Sequence, residues 1–164
     1  MEFVKSSLFI RPEKIVIVGR SIGTGPACHL AAKYNIAGLV LISPFTSIKE
    51  VVSDMVGSIG SMFVKDRFNN LDKFPKLTSP VMLIHGAKDN LISPKHSEKL
   101  YGIQKSNLDA CPTICQLLMP SEMTHSDMSY QVHLFDPIKH FLDKVNFRQS
   151  NFTSVYFASW LYKP

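Results

Sequence analysis

The stretch Ile15-Val16-Ile17-Val18-Gly19-Arg20-Ser21-Ile22-Gly23 decides the fold of this chain. Its first four residues are continuously apolar, which predicts a β-strand over 15–18 that is buried on both faces and ends at Gly19. A helical pattern follows from about residue 23 to residue 34, with Pro26 in its first turn, where a missing N–H costs no hydrogen bond. This order of strand, tight turn and helix is typical of a βαβ unit.

The same alternation continues along the chain. Apolar runs predict three further strands, over 39–42, 81–85 and about 114–119. Periodic apolar residues and cap signals predict three further helices, over about 48–59, 93–101 and 129–145. Strand and helix thus alternate four times, which predicts an α/β fold with a mostly parallel sheet and flanking helices.

Composition describes a globular domain. The chain has 164 residues, of which 45% are hydrophobic and 19% are charged, a balance that can bury a core and argues against disorder. We expect one domain over 1–145 and a carboxyl-terminal tail over 146–164, to which the pattern assigns no structure. The formal net charge of +5 is dispersed over single Lys and Arg residues, so we expect no nucleic-acid partner.

The cysteines and the hydropathy bear on the compartment. Cys28, Cys111 and Cys115 have no metal-ligand spacing, and their odd number fits a reducing environment. The first five residues lack the apolar core of a signal peptide, and no apolar run is long enough to cross a bilayer. We therefore expect a cytoplasmic protein without a metal site or cofactor, with peripheral membrane association left open for a full-length parent.

The pentapeptide from Gly19 to Gly23 has the pattern G-x-S-x-G. A sharp strand-to-helix turn at this pattern lifts the hydroxyl of Ser21 clear of the sheet, where it can act as a nucleophile. We expect both glycines to be required, because a Cβ at either would strike neighbouring backbone. The N–H of Ile22 would then be one oxyanion donor at the amino-terminal end of the helix. The alternative is a glycine-rich turn that merely contains a serine.

A serine nucleophile needs a base and an acid that orients the base. Asp89 lies four residues past the predicted strand that ends at residue 85, and His125 lies just after the predicted fourth strand. Because parallel strands bring their carboxyl ends to one edge of the sheet, we expect Ser21, Asp89 and His125 to converge there. The sequence therefore predicts a catalytic triad in the chain order Ser, Asp, His.

Other titratable residues are weaker candidates for these roles. His29, His133 and His140 lie on predicted helices and are expected to be packed or solvated. We expect His85 to brace the loop that carries Asp89. Asp127 lies two residues from His125, which is poor geometry for orienting the ring, and Asp109 has no strand end to position it.

Four segments resemble a known family. They are the elbow around Ser21, Ser-Pro-Phe-Thr-Ser over 43–47, and the run over 78–89 that contains His-Gly-x-x-Asp, preceded by Phe-Asn-Asn-Leu-Asp-Lys over 68–73. Over residues 13–145 the chain resembles the α/β-hydrolase-domain-containing protein 17 family of the Bem46-like group, serine hydrolases known as protein depalmitoylases. The resemblance implies the carboxyl-terminal half of an α/β-hydrolase fold. The elbow and His-Gly-x-x-Asp motifs are common to many α/β-hydrolases, so they do not specify the substrate.

The chain departs from this family at three places. Thr124 stands before His125 where the family usually has glycine, and the family's cysteine-rich membrane-anchoring segment does not occur within these 164 residues. By the resemblance, the chain also starts just before the nucleophile strand, without the half of the sheet that supplies the second oxyanion donor. We therefore expect a partial domain that shows little hydrolysis on its own.

The predicted activity is cleavage of acyl esters or thioesters by a serine hydrolase, with an acyl ester or an acylated protein as substrate. The resemblance adds protein depalmitoylation as the specific form. Two alternatives stay open. One is a truncated, non-catalytic α/β-hydrolase fragment, and the other is a relative of the serine peptidases that share this fold.

Overall fold

The structure, a computed structural model, describes residues 1–6, 8–65, 67–106, 114–145 and 147. Its elements follow one another as α1 (Glu2–Ser6), β1 (Val16–Arg20), α2 (Thr24–Lys33), β2 (Gly38–Ile42), α3 (Ile48–Ser61), β3 (Val81–Ile84), α4 (Lys95–Ser106), β4 (Cys115–Leu118) and α5 (Asp136–Lys144). The four strands are parallel and lie in the order β1-β2-β3-β4. The predicted parallel sheet with flanking helices is confirmed.

The central strands β2 and β3 place alternate side chains on opposite faces of the sheet. Leu39 and Leu41 join a cluster that includes buried residues of α2 and α4. Val40 and Ile42 join a second cluster on the other face, where Phe141 of α5 is fully buried. Both faces of these two strands are therefore covered, which is typical of continuously apolar strands in a parallel sheet.

Strand β1 differs from its prediction. It extends to Arg20, and among the described residues it pairs with β2 alone. Val16 and Ile17 are half-buried and Val18 is 53% exposed, so the expected burial on both faces is wrong. A strand with one neighbour leaves part of its surface open, and local sequence does not record how many neighbours a strand has.

The helix α3 forms where its periodicity predicted, and the hydroxyl of Ser47 caps it by accepting the N–H of Glu50 at 3.1 Å. It kinks at Gly57, whose φ of 82° lies in the left-handed region. Its apolar side chains Met55 and Ile59 are 61% and 76% exposed. The pattern thus gave the helix correctly, although these side chains are not covered by the described chain.

The last predicted helix, over 129–145, is interrupted. A π-helical segment, Tyr130–Phe135, precedes α5. Pro137 in the first turn of α5 cannot donate a backbone hydrogen bond, so a continuous α-helical ladder is lost at that point. None of the helices in the described ranges combines the length and apolarity needed to span a bilayer. Apart from residue 147, the predicted tail lies outside the described residues, as do Cys111 and Asp109.

Candidate active site

Ser21 follows β1 directly and begins a 3-10 turn, Ser21–Gly23, that leads into α2. Its φ of 51° lies in the left-handed region, where a residue with a Cβ is strained. The hydroxyl of Thr24 donates to the carbonyl oxygen of Ser21 at 2.7 Å and fixes the turn. The strand, the strained turn and the helix thus hold Ser21 at the carboxyl edge of the sheet.

The two glycines of the pentapeptide are not equivalent. A Cβ on Gly19 would lie 2.7 Å from the Cβ of Ala27 and 2.7 Å from the carbonyl oxygen of Gly23. A Cβ on Gly23 would meet nothing within 4 Å, and the φ of Gly23 is an ordinary −65°. The expectation that both glycines are required is therefore correct for Gly19 and wrong for Gly23, because only a Cβ on Gly19 would strike the turn and α2.

We predict that Gly19→Ala lowers the free energy of unfolding by roughly 1–3 kcal/mol, because the added methyl must push the turn away from α2. Gly23→Ala should change it by less than about 1 kcal/mol, and any change should favour the folded state, since alanine restricts the unfolded chain. Urea unfolding of both variants measures the difference. Equal losses in the two variants would contradict the packing that distinguishes them.

Asp89 lies in the loop after β3 and is 5% exposed. Its Oδ1 accepts the N–H groups of Leu91 at 3.0 Å and Ile92 at 2.9 Å. Burial acts to raise the pKa of Asp89, but the hydrogen bonds from the Ile92 N–H and from His125 outweigh it and hold the pKa below its ordinary value. The loop therefore favours the ionised carboxylate.

His85 is fully buried at the end of β3. Its Nε2 lies 2.9 Å from the carbonyl oxygen of Ile92, and its Nδ1 lies 2.6 Å from the hydroxyl of Ser97. Burial lowers the pKa of His85 and favours the neutral ring, although the Ile92 carbonyl and Asp89 act in the opposite direction. His85 thus braces the Asp89 loop, as expected.

His125 lies in the loop after β4, which the fully buried Met123 anchors. Thr124 and Asp127 close a turn around it. The Thr124 hydroxyl accepts the Asp127 N–H at 2.9 Å, and the Thr124 N–H donates to the Asp127 carbonyl oxygen at 3.0 Å. Thr124, the departure from the family's glycine, therefore takes part in the turn that presents His125.

The three predicted residues meet at the carboxyl edge of the sheet. The Nε2 of His125 lies 3.1 Å from the Oγ of Ser21, and its Nδ1 lies 2.8 Å from the Oδ2 of Asp89. The pattern fits a neutral ring whose Nδ1–H donates to the carboxylate and whose Nε2 accepts the serine hydroxyl. A hydroxyl, an imidazole and a carboxylate linked in this way can pass a proton from the serine to the ring.

The weaker candidates lie elsewhere. His29 and His140 are exposed on helices, and the Nδ1 of His133 accepts the N–H of Ser129 at 3.1 Å. Asp127 contacts Thr124 through its backbone. The described residues contain no group of three His, Cys, Asp or Glu side chains placed to hold a metal ion.

Comparison with known proteins identifies the superfamily. No protein-family model matches the chain. It is 33% identical over 135 residues to alpha/beta hydrolase domain-containing protein 17B of Homo sapiens, a match that covers 82% of this chain and 43% of that protein. It is 31% identical over 133 residues to alpha/beta hydrolase domain-containing protein 17C of Mus musculus, a match that covers 81% of this chain and 38% of that protein. This chain belongs to the α/β-hydrolase superfamily. It spans less than half the length of these curated relatives.

Solved structures share the fold of this α/β-hydrolase chain. An esterase of Pyrococcus furiosus superposes with a TM-score of 0.65 at 17% identity and covers 88% of this chain and 58% of its own. An acylaminoacyl peptidase of Pyrococcus horikoshii superposes with a TM-score of 0.63 at 12% identity. The superposition covers 99% of this chain and 28% of the peptidase. At these identities the likeness shows the fold alone.

Sequence reasoning missed one buried histidine of this α/β-hydrolase chain. His96, in the first turn of α4, is 5% exposed, and its Nδ1 lies 2.6 Å from the Oγ1 of Thr46. Its Nε2 lies 3.1 Å from a carboxylate oxygen of Asp54 on α3. Burial lowers the pKa of His96, while Asp54 and Glu50 act to raise it. His96 therefore joins α4 to α3 and to the loop after β2. No local sequence motif predicts these contacts.

Proposed function

We propose that this chain is the catalytic part of a serine hydrolase that cleaves acyl esters or thioesters through a covalent intermediate on Ser21. The observation that carries the proposal is the continuous series of contacts from the Ser21 hydroxyl through His125 to Asp89. Each of the three residues comes from a different strand end, so the arrangement is not a by-product of one local motif.

In the proposed first step, the Oγ of Ser21 attacks the carbonyl carbon of the substrate while the Nε2 of His125 takes the hydroxyl proton. The tetrahedral intermediate collapses, the bond to the leaving thiol or alcohol breaks, and His125 returns the proton to that sulfur or oxygen. Water then attacks the acyl-enzyme and gives a proton to His125. The second tetrahedral intermediate collapses, the bond between the acyl carbon and the Oγ of Ser21 breaks, and His125 returns the proton to that oxygen, which releases the carboxylic acid and free Ser21. The cycle needs no oxidant or reductant.

Asp89 supports this cycle by staying ionised. Its low pKa means that the carboxylate keeps its charge when His125 becomes an imidazolium, so the pair is stabilised at the moment when the ring is protonated. We assign to the N–H of Ile22 the role of one oxyanion donor, because Ile22 directly follows the nucleophile at the start of the turn into α2.

An apolar acyl group suits the surroundings of the site. Ile22 lies next to Ser21 in the chain and is 59% exposed, and Leu91, two residues after Asp89, is 48% exposed. Side chains of this kind can cover a hydrocarbon chain next to the reacting carbonyl. Together with the resemblance to a family known as protein depalmitoylases, this favours a long-chain thioester on a protein cysteine as the substrate, and peripheral membrane association for a full-length parent.

The substrate proposal predicts that a full-length parent cleaves a palmitoylated-cysteine thioester faster than a blocked peptide amide of similar size. Release of free thiol and release of amine are measured side by side, with Ser21→Ala as the blank for each. Thioester cleavage that disappears in the blank would support a thioesterase. Ser21-dependent peptide cleavage without thioester cleavage would assign a peptidase, and no Ser21-dependent cleavage of either would favour a non-catalytic chain.

A further inference from the structure

We propose that Arg20 is a positioning residue that holds the loop of His125 against the nucleophile turn, an inference that rests on the proposed function of Ser21. The Nη2 of Arg20 donates to the backbone carbonyl oxygen of His125 at 2.6 Å. The two residues are 105 positions apart in the chain. The contact therefore joins the residue before the proposed nucleophile to the backbone of the proposed base.

The loop that carries His125 is also hydrogen-bonded to the loop that carries Asp89. The N–H of Ala87 donates to the carbonyl oxygen of Pro120 at 3.0 Å, and the N–H of Lys88 donates to that of Met123 at 3.1 Å. The side chain of Lys88 also pairs with Glu122. The loops that carry Asp89 and His125 are thus bonded to each other and form one unit.

Among the described residues, two hydrogen bonds join this unit to Arg20 and Ser21. One is the contact between Ser21 and His125 itself, and the other is the hydrogen bond from Arg20. The contact with Ser21 must break and re-form during each proposed turnover, because the hydroxyl loses its proton and becomes acylated. The Arg20 contact uses main-chain oxygen and is untouched by that chemistry.

The surroundings of β1 make such a contact useful. In the described sheet β1 is an edge strand, so its pairing with β2 is the one strand pairing that links its carboxyl end to β3 and β4. A guanidinium that donates to a carbonyl forms a charge-assisted hydrogen bond from a planar, pre-organised group. Displacement of a base by about 1 Å can lower the rate ~10²-fold, so a hydrogen bond that keeps His125 close to Ser21 would support the reaction.

The test compares the 164-residue chain with Arg20→Met, which removes the donor, and Arg20→Lys, which keeps one charged donor. Arg11→Met is the matched control, because Arg11 is also exposed but lies before the amino end of β1, away from Ser21. Two quantities are measured for each protein. They are the hydrogen–deuterium exchange of the backbone amides over 121–127 and the rate at which a neutral fluorophosphonate labels Ser21.

We expect faster exchange over 121–127 in Arg20→Met, and a maximal labelling rate that falls about tenfold while the half-saturating probe concentration changes less than about twofold. Arg20→Lys should recover part of both, and Arg11→Met should match the unchanged chain. Thermal unfolding identifies any variant that does not fold. If Arg20→Met does not fold, Arg20→Lys is compared with Arg11→Met instead. We then expect smaller changes in exchange and labelling rate, in the same direction.

The outcomes separate the two proposals. Unchanged exchange over 121–127 in the folded Arg20 variants overturns the positioning role. Faster exchange with an unchanged labelling rate also overturns it, because the contact would then hold a loop without serving Ser21. If the unchanged chain is not labelled at Ser21, the proposed function fails, and exchange alone reports whether Arg20 holds the loop. A change confined to the half-saturating concentration would assign Arg20 to substrate binding and overturn the positioning role.

Discussion

Ser21→Ala is expected to abolish covalent labelling by a fluorophosphonate. In the unchanged chain the Oγ of Ser21 attacks phosphorus, fluoride leaves, and the proton passes to the Nε2 of His125, which lies 3.1 Å away. Alanine has no oxygen to form the bond, so the loss should be complete rather than partial. Intact-protein mass spectrometry measures the labelled fraction, and digestion of the unchanged chain locates the added group.

Ser126→Ala is the matched control for this experiment. Ser126 directly follows His125 and is exposed, so its hydroxyl shares the solvent and the neighbourhood of the site without following a strand end in a strained turn. We expect this variant to be labelled at the rate of the unchanged chain. Labelling that persists in Ser21→Ala, or that is lost in Ser126→Ala alone, would remove Ser21 from the role of nucleophile.

Convergence of the three residues on one sheet edge could be anticipated because it depends on few features of the sequence. An apolar run, a tight turn and a helical pattern place Ser21 after β1, and two more apolar runs place Asp89 and His125 after β3 and β4. Parallel pairing then brings the strand ends together without any knowledge of side-chain packing. The order and direction of the strands are therefore sufficient to predict that the three residues converge.

The burial and packing of individual side chains could not be predicted, because they depend on residues distant in the sequence. The periodicity of α3 encodes a helix with an apolar side, and it does not encode whether Met55 and Ile59 are covered. In the same way, the pattern G-x-S-x-G cannot distinguish Gly19, which faces α2, from Gly23, which faces open space. The contact from Arg20 to His125 depends on the rotamers of a long side chain and on a loop 105 residues away.

In a full-length parent, Asp89→Asn is expected to lower the turnover number by ~10⁴, as loss of the orienting acid does in serine proteases. The asparagine Oδ1 can still accept the N–H groups of Leu91 and Ile92, so the loop should keep its path. The amide NH₂, however, would face the Nδ1 of His125 and favour the ring with its proton on Nε2. That tautomer cannot accept the proton of Ser21.

The unfolding free energy provides a check that does not depend on activity. The pKa of Asp89 is lower in the folded protein than in the unfolded chain, so its ionised form stabilises the fold. This contribution is complete at pH values above the pKa that Asp89 has in the unfolded chain. It is lost as the pH falls through the lowered pKa of the folded protein. Asparagine cannot ionise. The stability gap between the unchanged chain and Asp89→Asn should therefore be larger near pH 7 than in acid, as urea unfolding at several pH values would measure.

Asp127→Asn is the matched control, because Asp127 is the other carboxylate close to His125 in the chain and its contacts with Thr124 are made by the backbone. The substitution removes the same charge two residues from the base and leaves those contacts in place. We expect turnover within about threefold of the unchanged chain, since a surface charge near a site changes rates only modestly. If Asp127→Asn is the more damaging of the two changes, Asp89 is not the residue that orients His125, and the 2.8 Å contact between them serves the loop alone.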